Sequence, residues 1–132
     1  MNGRTWVTLG AVLGFLAVAG GAFAAHYLKD VVKLEPASLE TFRTGARYAM
    51  YHALALVLLG LLAARAPSRA CSVSGVAFCL GVLLFTGSLW GLALTGAKWL
   101  GPITPLGGVC FLVGWVSLAI AAKGLGTPEK PA

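Results

Sequence analysis

Long uncharged stretches separated by short charged segments make up most of the chain. Four windows contain no Asp, Glu, Lys or Arg, namely residues 5–28, 48–64, 70–97 and 99–122. They are 24, 17, 28 and 24 residues long, and a helix that crosses a bilayer needs roughly 17 to 25 predominantly apolar residues. The pattern therefore predicts an all-α integral membrane four-helix bundle, formed as a single transmembrane domain over residues 1–132.

The first window has two interpretations. Ala22-Phe23-Ala24 is a small-x-small triplet after an apolar run, as at a signal-peptidase cleavage site. A signal peptide has an apolar core of about 7 to 15 residues, whereas the uncharged run from Thr5 to Ala24 is already 20 residues long. We therefore predict a retained helix over residues 6–28, with Trp6 and Tyr27 at the two membrane–water interfaces.

Small residues recur on one face of this first helix and again in the third window. Such residues let membrane helices approach closely, and a discarded signal peptide does not need them. The predicted helix-packing positions are Gly10, Gly14, Ala17, Gly21, Ala24, Gly87 and Gly91.

An amphipathic segment precedes the second window. Glu35-Pro36 marks its start, because proline suits the first turn of a helix. Two series of residues then interleave at helical spacing, the apolar one being Leu39, Phe42, Ala46, Ala49 and Ala53 and the polar one Glu40, Thr44, Arg47 and Tyr51. We predict an amphipathic interfacial helix over residues 36–47 that continues or bends at Gly45 into a spanning helix over residues 48–64.

The second half of the chain reads as a helical hairpin. Residues 65–69 are too few to form anything but a reversal, so the third helix is expected over residues 71–95. Thr104-Pro105 combines a capping hydroxyl with a proline at the first helical position, which predicts a fourth helix over residues 105–122. Residues 123–132 are expected to form a flexible tail.

Composition supports the membrane interpretation and excludes other classes. Only 11% of the residues are charged, against about 25% in soluble proteins, and the mean hydropathy is +0.86. The net charge of +6 arises from Lys and Arg at the ends of the spans, where basic residues anchor helices at lipid headgroups. Nucleic acid is therefore not an expected partner. The three cysteines have no C-x-x-C spacing and are expected to be packing residues.

Topology follows from the even number of spans, which places both termini on one side. Each side carries five basic residues: Arg4, Arg65, Arg69, Lys123 and Lys130 on the terminal side, and Lys29, Lys33, Arg43, Arg47 and Lys98 on the other. The positive-inside rule is therefore a tie. The short head with Arg4 before a signal-like helix favours cytoplasmic termini in the inner (cytoplasmic) cell membrane.

Two histidines and two arginines are the candidate functional residues, because polar groups at membrane depth are costly. His26 and His52 are predicted at similar depth on antiparallel neighbouring helices, and Tyr48 lies one turn before His52. Arg43 and Arg47 are one turn apart, with Glu40 as a predicted partner of Arg43. One interpretation is a polar cluster of His26, His52, Tyr48 and Arg47 that binds an anionic headgroup, a proton or a cofactor. The other is that the histidines tie two helices together and the arginines snorkel to phosphates.

Cofactor chemistry and catalysis have little support in the sequence. Two histidines could ligate haem, but no further motif supports this, and zinc would lack its third and fourth ligands. No cofactor is therefore predicted. No Asp or Glu lies within a span, which argues against a proton-driven exporter of cations. Ser88 and Ser117 have no evident base partner, so an enzyme is not expected.

Five motifs in register resemble a known family. They are GAFAAHYLK, FRTGARYAMYHALALVLLGLL, FTGSLWGLALTG, LGPITPLGG and GW (Gly114-Trp115). Together they resemble the domain of unknown function 423 (UPF0382) family of small four-helix membrane proteins, which includes human transmembrane protein 256. The resemblance implies a multi-pass membrane protein and supplies no catalytic residues. The chain departs from the family pattern at Ala24, where glycine is usual, and at Glu35-Pro36-Ala37, where Ser-Pro-Glu is usual.

Two functional hypotheses follow from these observations. The first is a non-enzymatic accessory or scaffold protein whose partners are membrane lipids and either another membrane protein or a second copy of the chain. The second is a small transporter or a protein that binds lipids or small ligands through His26, His52 and Arg47.

Overall fold

The computed structural model describes residues 1–126, and this part of the chain consists of four long helices. They are α1 (Gly3–Phe23), α2 (Pro36–Arg65), α3 (Arg69–Thr95) and α4 (Ile103–Ala121). A π-helix, Ala24–Val31, extends α1, and two short 3-10 helices, Lys98–Leu100 and Ala122–Gly126, flank α4. Each long helix with its extension is long and apolar enough to cross a membrane. This confirms the predicted all-α four-helix membrane bundle.

The helices pack in the order in which they occur in the chain. The extensive interfaces are α1 with α2, α2 with α3, and α3 with α4. The two middle helices are therefore the most buried, while α1 and α4 leave most of their surface outside the bundle. Large apolar side chains such as Phe15 and Leu112 are exposed there, as expected of surfaces that face lipid.

Glycines bring the backbones of α1 and α2 into contact. A Cβ added to Gly10 would lie 2.7 Å from the carbonyl oxygen of Ala53, and one added to Gly60 would lie 2.8 Å from the backbone nitrogen of Val7. Helix association in lipid depends on such close packing, because the surrounding hydrocarbon is as apolar as the helix surfaces.

Large aromatic rings against glycines fasten α3 to its neighbours. A Cβ on Gly75 of α3 would lie 2.6 Å from the Trp6 indole of α1, and a Cβ on Gly114 of α4 would lie 2.5 Å from the Phe78 ring of α3. We call a third contact of this type the Trp90 junction, which comprises Trp90, Phe42, Gly20 and Gly45. There the Trp90 ring lies 2.5 Å from a Cβ placed on Gly20 and 2.9 Å from one on Gly45.

The Trp90 junction also contains a hydrogen bond and a ring stack. The indole Nε1–H of Trp90 donates to the Phe42 carbonyl at 3.0 Å, and the two rings stack with centroids 4.8 Å apart at 7°. Phe42 in turn contacts Phe23, which stacks on Tyr27. A continuous row of rings therefore connects the end of α1 to α2 and α3.

Hydroxyl groups of α3 add three hydrogen bonds to other elements. Ser74 donates to the Gly114 carbonyl of α4 and Thr86 donates to the Gly45 carbonyl of α2, both at 2.9 Å. The hydroxyls of Ser88 and Thr104 are 2.7 Å apart. Helix α3 therefore contributes polar groups as well as ring contacts to the centre of the bundle.

The helix-packing prediction for α1 is partly wrong. The buried face follows alternating steps of three and four, and comprises Gly3, Trp6, Gly10, Ala17, Gly20 and Ala24. Gly14 is at the edge of this face, because a Cβ added to it would lie 3.8 Å from the Cβ of Ala53. A Cβ added to Gly21 would meet nothing within 4 Å. In α3, Gly91 packs against Leu100, whereas Gly87 likewise meets no atom within 4 Å. Gly21 and Gly87 are thus not packing positions within the described chain.

Trp6 was predicted at the membrane–water interface and is instead in the core. Only 1% of its surface is exposed, because the ring inserts between α1 and α3 against Gly75. Its indole N–H has no hydrogen-bond partner among the described residues. Tyr27, the other predicted interfacial aromatic, is about half exposed and stacks on Phe23.

The helix boundaries include one confirmed and two wrong predictions. Helix α2 begins at Pro36 with Glu35 as its N-cap, as predicted, and of the two alternatives at Gly45 it continues as one α-helix, with Trp90 packed against Gly45. Helix α4 begins at Ile103 with Pro102 as N-cap, and the Thr104 hydroxyl contacts Ser88 instead of capping the helix. Of the predicted tail, residues 123–126 belong to a 3-10 helix and residues 127–132 lie outside the described residues.

Candidate functional site

His52 is the most deeply placed ionisable side chain that sequence reasoning identified. It lies five residues after Arg47 on α2, about 8 Å further along the helix axis. Only 3% of its surface is exposed, because α2 presents it to α3 and α4. An ionisable group buried within a membrane span is a candidate functional site by default, so its partners decide how it is interpreted.

Both ring nitrogens of His52 are hydrogen-bonded. Nε2 lies 3.2 Å from the indole Nε1 of Trp115, and Nδ1 lies 2.6 Å from the backbone carbonyl oxygen of Tyr48. An indole N–H can only donate, so Nε2 must accept and the proton of a neutral imidazole must be on Nδ1. That proton is then donated to the Tyr48 carbonyl. The geometry therefore fits one tautomer of neutral His52.

Aromatic rings surround the imidazole, and we call this group the His52 cluster (His52, Phe78, Phe111 and Trp115). The imidazole stacks on Phe111 with centroids 3.5 Å apart at 5°. Phe78 lies 5.4 Å away and Trp115 6.0 Å away, measured between centroids. Phe111 and Trp115 are one turn apart on α4, which explains why both reach the same side chain of α2.

A groove opens next to the His52 cluster on the outer surface between α2 and α4. It has a volume of about 390 Å³, and we call it the aromatic groove. Its lining comprises Tyr48, Tyr51, His52, Phe85, Gly108, Phe111, Leu112 and Trp115. The groove is within the range of about 300 to 1,000 Å³ that is usual for small-ligand sites.

His26 does not join this group. It is exposed on the π-helix that extends α1, and its side chain makes no hydrogen bond or ion pair with another of residues 1–126. The imidazole of His52 is directed instead at α3 and α4. The prediction that two histidines form one cluster, or tie helix 1 to helix 2, is therefore not what the structure shows.

The arginines also differ from the prediction. Glu40 forms its ion pair with Arg47, two turns along α2, and not with Arg43. Arg47 additionally donates to the Thr44 hydroxyl at 3.0 Å. Arg43 is half-buried and has no ion pair within the described part of the chain. The exposed Arg47–Glu40 pair contributes little to stability, and together with Arg43 this part of α2 carries a net positive charge.

Tyr48 is the predicted residue that does lie beside His52. Its ring is 6.3 Å from the imidazole at an angle of 22°, and its backbone carbonyl accepts the Nδ1 proton. The same ring packs 4.7 Å from Phe85 of α3. Tyr48 therefore connects the His52 cluster to the mouth of the aromatic groove.

The haem and zinc hypotheses gain no support from this geometry. Haem ligation needs a free ring nitrogen, and both nitrogens of His52 are already engaged. Among residues 1–126, no three His, Cys, Asp or Glu side chains come together in a way that could hold a metal ion.

Sequence reasoning missed Tyr51, Phe111 and Trp115 as parts of this site. A signal was nevertheless present, since Phe111 and Trp115 have the same spacing of four as Tyr48 and His52. Aromatic residues four apart on two helices that face each other can stack as a group. What the sequence did not provide was the knowledge that α4 faces α2 at this depth.

Comparison with known proteins gives the family. Residues 20–108 match the family described as "Protein of unknown function (DUF423)". The UPF0382 membrane protein YwdK of Bacillus subtilis is 39% identical over 120 residues, which cover 90% of this chain and 96% of that protein. A UPF0382 membrane protein of Haemophilus influenzae is 42% identical over 114 residues, covering 86% and 90% respectively.

A third relative, from Staphylococcus epidermidis, is 40% identical over 118 residues, covering 89% of this chain and 94% of that protein. No solved structure matches the chain. The match spans nearly the whole length on both sides, and the relatives share the description as membrane proteins. The chain therefore belongs to the DUF423 family of UPF0382 membrane proteins.

Proposed function

We propose that the protein is a non-enzymatic accessory protein that associates with another transmembrane helix through the groove between α1 and α3. The observation that carries the proposal is Gly87. It lines this groove of about 350 Å³ between leucine and valine side chains, and a Cβ there would meet nothing within 4 Å. A glycine at such a surface lets a helix approach closely, and the chain itself does not use the space.

The state of the buried polar groups supports a non-enzymatic role. The hydroxyls of Ser74 and Thr86 donate to helix carbonyls, and Ser88 is paired with Thr104. A nucleophile needs an adjacent base, and none of these hydroxyls contacts a histidine, carboxylate or lysine among the described residues. The one buried histidine is fully occupied by Tyr48 and Trp115.

The test is the mass of the protein after mild extraction from the membrane, measured for the wild type and for Gly87→Leu. We expect the wild type to carry a second polypeptide, either its own copy or another protein, and Gly87→Leu to lose it because the leucine fills the groove. Gly21→Leu is the matched control, since Gly21 is also an open helical glycine but does not line the groove. A wild type that is strictly monomeric and free of other polypeptides contradicts the proposal, as does a Gly87→Leu variant that keeps its partner.

We further propose that the protein resides in the inner cell membrane with both termini in the cytoplasm. The support is the short basic head with Arg4 before a signal-like α1, since the first helix usually dominates orientation. Fusions of alkaline phosphatase, which is active only outside the cytoplasm, should be inactive at either end and active when inserted after Lys33. The opposite pattern would reverse the orientation.

A further inference from the structure

Grooves open between the helices on the outer surface of the bundle, and the linings of three of them differ. The groove between α3 and α4, of about 450 Å³, and the groove between α1 and α3 are lined mainly by valine and leucine. The aromatic groove between α2 and α4 is lined mainly by rings, including those of Tyr48, Phe85, Phe111 and Trp115. Flexible acyl chains suit the first two, whereas ring faces favour a flat molecule that can stack on them.

The free polar groups of the aromatic groove are two phenol hydroxyls. His52 and Trp115 are hydrogen-bonded to each other, so their polar atoms are not available to a ligand. The hydroxyls of Tyr48 and Tyr51 donate to no other residue among 1–126, and Tyr51 is 53% exposed. A ligand that accepts hydrogen bonds, for example through carbonyl oxygens, would satisfy both donors.

The charge balance of the groove favours a neutral ligand. None of the lining residues is a carboxylate, lysine or arginine. Arg47, the residue before Tyr48, is already paired with Glu40. A charged group bound within the groove would therefore have no counter-charge among the lining residues to offset the loss of its hydration.

We propose that the aromatic groove binds a membrane-soluble quinone. The planar ring stacks against the half-exposed indole of Trp115, its carbonyl oxygens accept from the Tyr48 and Tyr51 hydroxyls, and its apolar tail extends into the surrounding bilayer. The site binds the quinone and holds its ring at one depth in the membrane. This site is separate from the association groove at Gly87, so either proposal can fail without the other.

Gly108 offers a way to block the groove without disturbing the bundle. It lies on the groove wall, and a Cβ there would meet nothing within 4 Å. In Gly108→Leu the side chain should occupy the ligand's space, while the unfolding temperature stays close to that of the wild type. Gly21→Leu is the matched control, because it adds the same side chain at an open helical position that does not line the groove.

The experiment titrates the detergent-solubilised protein with a decyl-substituted benzoquinone and follows the indole N–H signals by NMR. We expect a saturable shift of the Trp115 signal, assigned with Trp115→Phe, and none of the core Trp6 signal. Gly108→Leu should weaken binding at least tenfold and Gly21→Leu should bind like the wild type. The double variant Tyr48→Phe/Tyr51→Phe should bind roughly five- to fifty-fold more weakly, as expected for two lost hydrogen bonds.

Several results would overturn the proposal. One is the absence of a saturable Trp115 shift, and another is wild-type affinity in Gly108→Leu or an equal loss in Gly21→Leu. If Gly108→Leu does not fold, the Tyr48→Phe/Tyr51→Phe variant tests the proposal instead. Wild-type affinity of that variant for the quinone would show that the two hydroxyls do not bind it, and would overturn the proposal. Decylbenzene, which has the ring and the tail but no carbonyl oxygens, is the last control, and equally tight binding of it would show a merely apolar groove.

Discussion

The Trp90 junction and the His52 cluster both hold a tryptophan of another helix against α2 by a hydrogen bond, but the acceptors differ. In each, a tryptophan from a neighbouring helix donates its indole N–H to α2, at 3.0 Å in one case and 3.2 Å in the other. Trp90 donates to the backbone carbonyl of Phe42, whereas Trp115 donates to a side chain, the imidazole of His52. The backbone carbonyl at position 42 would be present with any residue there, whereas the acceptor at position 52 requires a histidine side chain.

The surroundings of the two tryptophans differ accordingly. Trp90 is partly buried and its ring packs tightly against glycines on two helices, although the same side chain also reaches the wall of the groove between α1 and α3. Trp115 is about half exposed and lines an open groove. We infer that the Trp90 junction is chiefly a packing contact between helices and that the His52 cluster supports the wall of the aromatic groove. The following predictions test that division, from the largest effect to the smallest.

The largest change in the free energy of unfolding is expected at the Trp90 junction. Gly20→Leu should lower the free energy of unfolding by about 3 kcal/mol or prevent folding, because the side chain would overlap the Trp90 ring. Gly21→Leu, one residue away, should leave the free energy of unfolding nearly unchanged, since its Cβ meets open space. Denaturant unfolding in micelles, followed by circular dichroism, measures both. Equal losses in the two variants would contradict the packing assigned to Trp90.

His52→Leu should lower the free energy of unfolding by about 1 to 3 kcal/mol, because the partly buried N–H of Trp115 would lose its acceptor. Trp115→Phe removes that donor, so the double variant should lose less than the sum of the two single variants. The coupling expected from the double-mutant cycle is about 0.5 to 1.5 kcal/mol. Additive losses would mean that the hydrogen bond contributes nothing.

Trp90→Phe and Trp6→Phe make a finer comparison, because both rings lie against glycines. Trp90→Phe should cost about 1 kcal/mol more than Trp6→Phe, since Trp90 loses a hydrogen bond to Phe42. The indole N–H of Trp6 has no partner to lose, and removing an unsatisfied buried donor offsets part of the lost packing. Unfolding curves for the two variants under the same conditions give the difference. A greater loss for Trp6→Phe would imply an unseen partner for its indole.

The smallest expected effect concerns the position of one proton. The nitrogen NMR shifts of His52 near neutral pH should show Nδ1 protonated and Nε2 bare, because Trp115 can only donate to Nε2. In Trp115→Phe the Nε2–H tautomer should become populated, while the exposed His26 should give the same spectrum in both proteins. An Nε2–H tautomer in the wild type would contradict the hydrogen-bond arrangement.

The sequence was sufficient for the class of fold because charge spacing alone marks the spans. Residues at the ends of an uncharged window must face the polar side of a bilayer, whatever the helices pack against. Local signals worked where the chemistry is local, as at Pro36, whose ring fits a first helical turn. They failed at Thr104, whose hydroxyl has the competing partner Ser88 on another helix.

The details of packing and of the site were not predictable because they depend on which helix faces which. Gly20 and Gly21 are neighbours of identical type, yet only Gly20 meets Trp90. The sequence predicts His26 and His52 in one cluster. In the structure His52 is buried and directed at α3 and α4, whereas His26 is exposed. Depth along a span can be read from sequence, whereas rotation about the helix axis requires a known partner.

The order of helix packing has a consequence for biogenesis. Every extensive interface joins two helices that follow each other in the chain, so each new helix finds its main neighbour already in the bilayer during synthesis. Short sequence separation between contacting elements favours fast folding. Two contacts between α1 and α3, from Trp6 to Gly75 and from Trp90 to Gly20, cannot form until α3 has been inserted, and the contact of His52 with Trp115 must wait for α4. Insertion of α3 is therefore the step that fixes α1 and α2, until then a free hairpin, against the rest of the bundle, and insertion of α4 then completes the His52 cluster.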